Sequence, residues 1–273
     1  MTVRLFDTSG EPNSIKFSFL MKIWQYRNLL FAFTIRDIKA QYAQTRLGII
    51  WGLLQAIIAA LILNFFFGIL LRIKTDNFQY IIYAFPGMMA WYYFSYIVNC
   101  SGNSVLMSQA IVKKIYFPKL ILPLYKTLVG LIDYCLWFVV YLFLLLFYKQ
   151  PISLNFVFMP LAMIFNIFAG LSIAIWLSAV SVKYRDALHF IPFLTGFGAF
   201  ITPVFYETIM IPQAYSYLLY FNPMAGVIAF YRWCLLGIPF SISYLYGIIP
   251  MFVLLITGLK YFKKIENSMS DLI

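Results

Sequence analysis

Few side chains in this 273-residue chain could do chemistry inside so apolar a sequence, and Asp133 stands first among them as the only acid deep within an apolar run. An ionisable group there is costly to keep and is a functional candidate by default. Lys126 precedes it by seven residues, two helical turns along one face. Asp133 can therefore pair with Lys126 through water, or with another helix, either as a structural contact or as part of a substrate path. Arg36, Lys39 and Arg46 form a basic cluster just ahead of the first apolar run. Such a cluster either fixes topology or holds phosphate head groups. Aromatic rings offer a third chemistry. Phe193, Phe197 and Phe200 recur at i, i+4, i+7 in a run that also holds Pro192, Gly196 and Gly198. One face of such rings can stack on the C–H faces of sugars, or simply pack against a neighbouring helix.

Other chemistries are missing. No glycine-rich run ends in Gly-Lys-Ser/Thr, so ATP hydrolysis by a Walker A loop is excluded. The single histidine, His189, follows the charged loop Lys183, Arg185 and Asp186 and reads as an interfacial helix-end residue. Cys100, Cys135 and Cys234 lack metal-ligand spacing and read as inert buried thiols. No site residue is expected to be catalytic or to bind metal or cofactor. The net charge of +11 sits between apolar runs and at the ends, a pattern of topology signals and anionic-lipid contacts that excludes nucleic acid as the partner.

The elements that position these residues follow from hydropathy. The chain is 63% hydrophobic and 11% charged, with mean hydropathy +0.87. Soluble domains carry about 25% charged residues, so lipid must solvate much of this surface. A helix needs about 20 apolar residues to cross hydrocarbon. Six spans are expected, at Leu47–Leu71, Tyr80–Leu106, Leu120–Phe147, Leu154–Val182, Ala187–Val204 and Ser241–Leu259, with the fifth short. The polar lead before Leu47 is not the pattern of a cleaved signal peptide. With the N-terminus inside, fifteen Lys and Arg fall on the cytoplasmic side, against Arg72, Lys74, Lys149 and Arg232 outside. That asymmetry sets the orientation, and an even number of spans returns the C-terminus to the cytoplasm.

Two segments do not fit simple spans. Residues 14–45 are too polar to cross, yet Phe17, Leu20, Met21 and Trp24 and then Phe31, Ile35, Ile38 and Tyr42 mark apolar stripes, with Asp37, Gln41 and Gln44 on another face. This predicts one or two amphipathic helices lying in the inner interface. Residues 205–240 fall outside but are apolar; Asn222-Pro223 is a helix start, and Gly237 with Pro239 a stop. A re-entrant helical hairpin is expected there, buried by protein. The expected class is thus an all-α polytopic membrane protein with an N-terminal interfacial helix. Its division is 1–46 cytoplasmic, 47–259 permease-like and 260–273 a cytoplasmic tail.

Several short patterns in chain order then acquire a common meaning. Arg36-Asp37-Ile38-Lys39 with Tyr42, Thr45, Leu47-Gly48 and Trp51 is one; Phe85-Pro86-Gly87 with Trp91 and Phe94-Ser95 is another. Lys113 to Lys119 with Leu122-Pro123, then Tyr184-Arg185-Asp186, Pro203-Val204, Asn222-Pro223 and Tyr231-Arg232 complete the set. Together they resemble ATP-binding-cassette type-2 permeases that export bacterial polysaccharides, O-antigen export permeases most of all, with capsule and teichoic-acid exporters as near relatives. The resemblance implies a homodimer in the bacterial inner membrane, docked to two copies of a separate ATPase that carries ATP and Mg. It implies a coupling segment over 108–119, with Ser108, Gln109, Lys113, Lys114, Tyr116 and Lys119 as contacts. It implies a gate at the N-terminal helix and an outer gate at 205–240. The first and fifth spans would line the channel, with Trp51, Phe65, Phe193, Phe197 and Phe200 as lining candidates. The cargo would be polysaccharide on an undecaprenyl-diphosphate carrier, whose diphosphate suits Arg36, Lys39 and Arg46. A permease for another lipid or drug, or a membrane enzyme acting on lipid-linked sugars, is the alternative; the enzyme would want clustered His or acids at one membrane face.

Overall fold

A computed structural model of the chain describes residues 23–43, 48–73, 78–266 and 269. Arg46, and Phe17, Leu20, Met21, Gln44, Thr45, Leu47 and Lys74 of the expected patterns, lie outside the described residues. The structure is helical, with no strand among the described residues. Helix α1 (Arg27–Ala43) precedes α2 (Ile50–Leu63), which runs into a π-helical stretch at Asn64–Leu70. Then come α3 (Tyr80–Tyr96), continued as a π stretch at Ile97–Ser101, and two single-turn helices, α4 (Ser104–Met107) and α5 (Gln109–Val112). Long helices α6 (Ile121–Phe147) and α7 (Met159–Lys183) follow, then α8 (Ala187–Ile201), α9 (Ser216–Tyr220), α10 (Pro223–Leu236) and α11 (Ile248–Glu266). The chain is an all-α, multi-pass membrane protein.

Five helical runs are long and apolar enough to cross a membrane: Ile50–Leu70, Tyr80–Ser101, Ile121–Phe147, Leu154–Lys183 and Ile242–Glu266. The expected fifth span is the exception. Where the sequence suggested a span over Ala187–Val204, α8 has 15 residues, about 22 Å at 1.5 Å per residue, against roughly 30 Å of hydrocarbon. It stops because Thr202 turns to an extended conformation (ψ 141°) just before Pro203.

The second span is the centre of the packing. Ile82, Phe85, Met89, Ala90 and Tyr93 of α3 are fully buried, and α6, α7 and α10 all pack on it. Pro86 has no N–H, so the carbonyl of Ile82 loses its helical partner. The Tyr141 hydroxyl of α6 donates to that carbonyl at 3.4 Å. At Asn166 of α7, Nδ2 donates to the Ala90 carbonyl and to the Tyr231 hydroxyl, which in turn donates to Tyr134. Last in the chain, α11 lies along α7, where Gly258 leaves the space that Trp176 fills; a Cβ there would sit 2.7 Å from the indole.

The expected hairpin over 205–240 becomes α9 and α10, joined at Asn222. Asn222 Oδ1 accepts from the Met224 N–H at 3.0 Å with Pro223 in the first turn, and Gly237 (φ 72°) closes α10 in the left-handed conformation. Helix α10 is mostly buried against α3 and α7.

Candidate functional site

Helix α1 crosses α6 and meets it through polar side chains. The Asp37 carboxylate is held by two cations, Lys126 Nζ at 2.7 Å on one oxygen and Arg36 Nη2 at 2.7 Å on the other. Arg36 also lies over the Phe33 ring (5.0 Å), and Phe33 packs edge-on to Phe117 and Tyr125. Burial alone would raise the Asp37 pKa, but the hydrogen bonds and charges of Lys126 and Arg36 outweigh it and hold the carboxyl below its usual value. Further along, the Tyr42 hydroxyl donates to Asp133 Oδ1 at 2.7 Å and Gln41 Nε2 to Asp133 Oδ2 at 3.3 Å. Burial, then the carboxylate beside it, push the Tyr42 hydroxyl well above its usual pKa, so it stays a donor. Gly52 of the first span completes the junction: a Cβ there would lie 3.2 Å from Asp133 Oδ1 and 2.6 Å from Leu136.

The pairing answers the question the sequence left open. Lys126 pairs with Asp37, and Asp133 pairs with α1, so no direct Lys126–Asp133 contact is needed. Phe31 and Ile35 of the expected apolar stripe are exposed, as a lipid-facing stripe would be. Ile38 and Tyr42 instead turn toward the protein, and the polar face carrying Asp37 and Gln41 is the docking face. Of the basic cluster, Arg36 is about half exposed and bound to Asp37, and Lys39 is exposed.

The segment 108–119 divides by exposure. Lys113, Lys114 and Tyr116 face outward, Tyr116 at 89%, and Gln109 is half-buried. Ser108 is buried at the junction of α4 and α5, and Lys119 is buried against the end of α11. The Lys119 backbone N–H donates to Glu266 Oε1 (2.7 Å) and its Nζ donates to the Glu266 carbonyl (2.6 Å). A cation on the last carbonyls of a helix is electrostatically favourable, so this contact ties the segment to the last span.

Helix α8 is held by one face only. Trp91 Nε1 donates to the Thr195 carbonyl (3.2 Å), Asn99 Nδ2 to the Thr195 hydroxyl (3.1 Å), and Gly198 lies against the Trp91 ring. Asn99 belongs to the π stretch that ends the second span. On the opposite face Phe193, Phe197 and Phe200 are exposed, the first two with ring centroids 4.6 Å apart. Trp51 and Phe65 of the first span are also exposed. At one end the two groups approach, because Phe205 contacts both Phe200 (5.7 Å) and Phe67 (6.1 Å). Trp51 sits at the other end of the first span, apart from that contact.

The family model for ABC-2 type transporter membrane proteins matches residues 28–236, from the first turn of α1 to the end of α10. This chain belongs to the ABC-2 type transporter family. Relatives agree: the chain is 27% identical over 251 residues, 90% of its length and 95% of the relative's, to an O-antigen export system permease protein RfbA of Klebsiella pneumoniae. It is 28% identical over 213 residues, 77% of its length and 81% of the relative's, to the protein of the same name in Myxococcus xanthus.

In this ABC-2 chain one charge lies elsewhere than the sequence suggests. Arg232, assigned there as an external charge, is only 4% exposed. Its Nη2 donates to the Val204 carbonyl (2.9 Å), its Nε to the Tyr83 carbonyl (3.3 Å), and its guanidinium lies over the Tyr83 ring at 4.0 Å. Val204 lies in the turn after α8, and Tyr83 lies within α3 one turn before Gly87. Gly87 permits the approach, since a Cβ there would be 2.8 Å from the Val204 carbonyl. The signal available in sequence was the coincidence of Pro86-Gly87, Pro203 and a lone arginine inside an apolar helix.

Proposed function

We propose that this chain is the membrane-spanning permease subunit of an ATP-driven exporter that moves lipid-linked O-antigen polysaccharide across the bacterial inner membrane. The observation that carries the reading is the colinear likeness to O-antigen export permeases over nine-tenths of the chain. In this reading two copies form a channel between protomers, lined by the first span and α8. Two copies of an ATPase subunit, which carry ATP and Mg, dock on the inner side. Helix α8 with the turn after it makes the sixth passage, so both termini lie in the cytoplasm. The cargo travels on an undecaprenyl-diphosphate carrier.

The geometry supports a division of labour. Exposed Lys113, Lys114 and Tyr116 offer charge and a ring to the ATPase, while buried Lys119 passes movement of that segment to α11 through Glu266. Exposed Phe193, Phe197 and Phe200 suit the C–H faces of a sliding glycan. Helix α1, anchored to α6 by Asp37, Gln41 and Tyr42 beside the Phe33 ring, suits a gate. The boundaries 1–46, 47–259 and 260–273, with the outer gate at 205–240, follow from this reading.

The test is co-purification of the chain, in nanodiscs, with the ATPase encoded beside it, and ATPase assay with and without lipid-linked glycan. A two-plus-two complex with glycan-stimulated hydrolysis is expected; failure of any ATPase to bind overturns the reading. Complex formation without a glycan response points to another cargo. Lys113→Glu with Lys114→Glu should weaken the complex while insertion persists, and unchanged co-purification would remove these residues from the docking surface.

A further inference from the structure

The cations of the α1–α6 contact are occupied by the protein's own carboxylate. Asp37 presents one oxygen to Arg36, through Nε at 2.9 Å and Nη2 at 2.7 Å, and the other to Lys126 Nζ at 2.7 Å. Arg36 stacks on Phe33 and Lys126 lies 5.4 Å from the centroid of Tyr125, so both are held ready by rings as well as by the carboxylate. The three charges sum to +1, and exposed Lys39 follows on α1. Neither cation is sealed: the Arg36 side chain is 49% exposed and that of Lys126 is 26% exposed. Two pre-arranged cations with a surplus of positive charge at an accessible edge make an anion site whose present occupant is internal.

We propose that Arg36 and Lys126 form a binding site for a phosphorylated headgroup, and that Asp37 is an internal stand-in which that headgroup displaces. The proposal rests on the exporter reading for the source of the ligand, a prenyl diphosphate in the inner leaflet. A diphosphate brings more charge and more acceptor oxygens than one carboxylate, so it exchanges favourably for Asp37 against a guanidinium and an ammonium. Displacement also breaks one of the two polar ties between α1 and α6, leaving Phe33 against Tyr125. The second tie, Tyr42 and Gln41 on Asp133, is untouched, so α1 would pivot about its C-terminal end as cargo arrives. Asp37 thus makes release of the gate depend on the cargo's own headgroup.

The test is equilibrium binding of a fluorescent short-chain prenyl diphosphate to the full chain in phosphatidylcholine nanodiscs, with thermal midpoints recorded for every variant. Removing the competitor with Asp37→Asn should tighten binding about tenfold, because apparent affinity scales with the fraction of open sites. Asp37→Glu should restore wild-type affinity, and Lys126→Gln should weaken it about tenfold. Competition by inorganic pyrophosphate as strong as by unlabelled prenyl diphosphate would support the site with phosphate as the sole determinant. Competition by the prenyl form alone would support it with the lipid as source. Unchanged or weaker binding in folded Asp37→Asn, or unchanged binding in Lys126→Gln, overturns the proposal. If glycan still stimulates the wild-type ATPase in that case, the exporter reading stands without it. If Asp37→Asn tightens binding while glycan gives no stimulation, the site stands and the exporter reading falls.

Discussion

The Tyr42 hydroxyl donates to Asp133 Oδ1 at 2.7 Å across 91 residues of sequence. That bond turns the only acid deep in a span into an anchor for the helix that precedes all the spans, and it does so at the point where Gly52 lets the first span approach. Asp133 is therefore a junction between α1, α2 and α6.

A double-mutant cycle measures the junction. Asp133→Ala strips acceptors from two donors and should cost about 1–3 kcal/mol; Tyr42→Phe, which removes one donor from a carboxylate that keeps Gln41, should cost less. Because the residues touch, the double variant should cost less than the sum of the two by roughly 0.5 kcal/mol or more. Thermal denaturation in detergent reads this directly, and strict additivity would mean that the bond contributes nothing.

Arg232 should be among the least replaceable residues of α10. Arg232→Met fills part of the volume but leaves the Val204 and Tyr83 carbonyls without their donor, and should destabilise by about 3 kcal/mol. Arg232→Lys keeps the charge but cannot reach two carbonyls from one planar fork, and should recover only part of the loss. A thermal midpoint unchanged in Arg232→Met would mean that these two hydrogen bonds do not stabilise the fold.

Two glycines make opposite forecasts. An added Cβ at Gly130 would meet the Tyr96 ring at 2.3 Å, whereas at Gly196 it meets nothing within 4 Å. Gly130→Ala should cost about 1–3 kcal/mol through overpacking. Gly196→Ala should be neutral or stabilise α8 by up to about 1 kcal/mol through helix propensity. Comparing the two midpoints checks the packing of α6 on the second span and the openness of α8 together.

Phe193 and Phe197 are each 58% exposed in the single chain, so their truncation should leave the thermal midpoint nearly unchanged. If they touch glycan, the double Phe193→Ala, Phe197→Ala variant should lower export severalfold at normal expression. Normal export would return both rings to an ordinary lipid-facing surface.

What the sequence determined by itself was local. Runs of about 20 apolar residues locate the long helices, because hydrocarbon demands internally bonded backbone. Asn222-Pro223 and Gly237 mark the ends of α10, because caps depend on the conformation of one or two residues. The family pattern was legible because its elements recur in order. Tertiary structure decided the partners. Lys126 and Asp133 lie on one helix about 10 Å apart by rise, so each needed a partner from elsewhere, and only the crossing of α1 over α6 supplied Asp37 to one and Tyr42 to the other. It also drew Arg232 inward. A helical pattern records which face is apolar, but not the angle and register at which that face meets another helix. Those depend on the shapes of both surfaces at once.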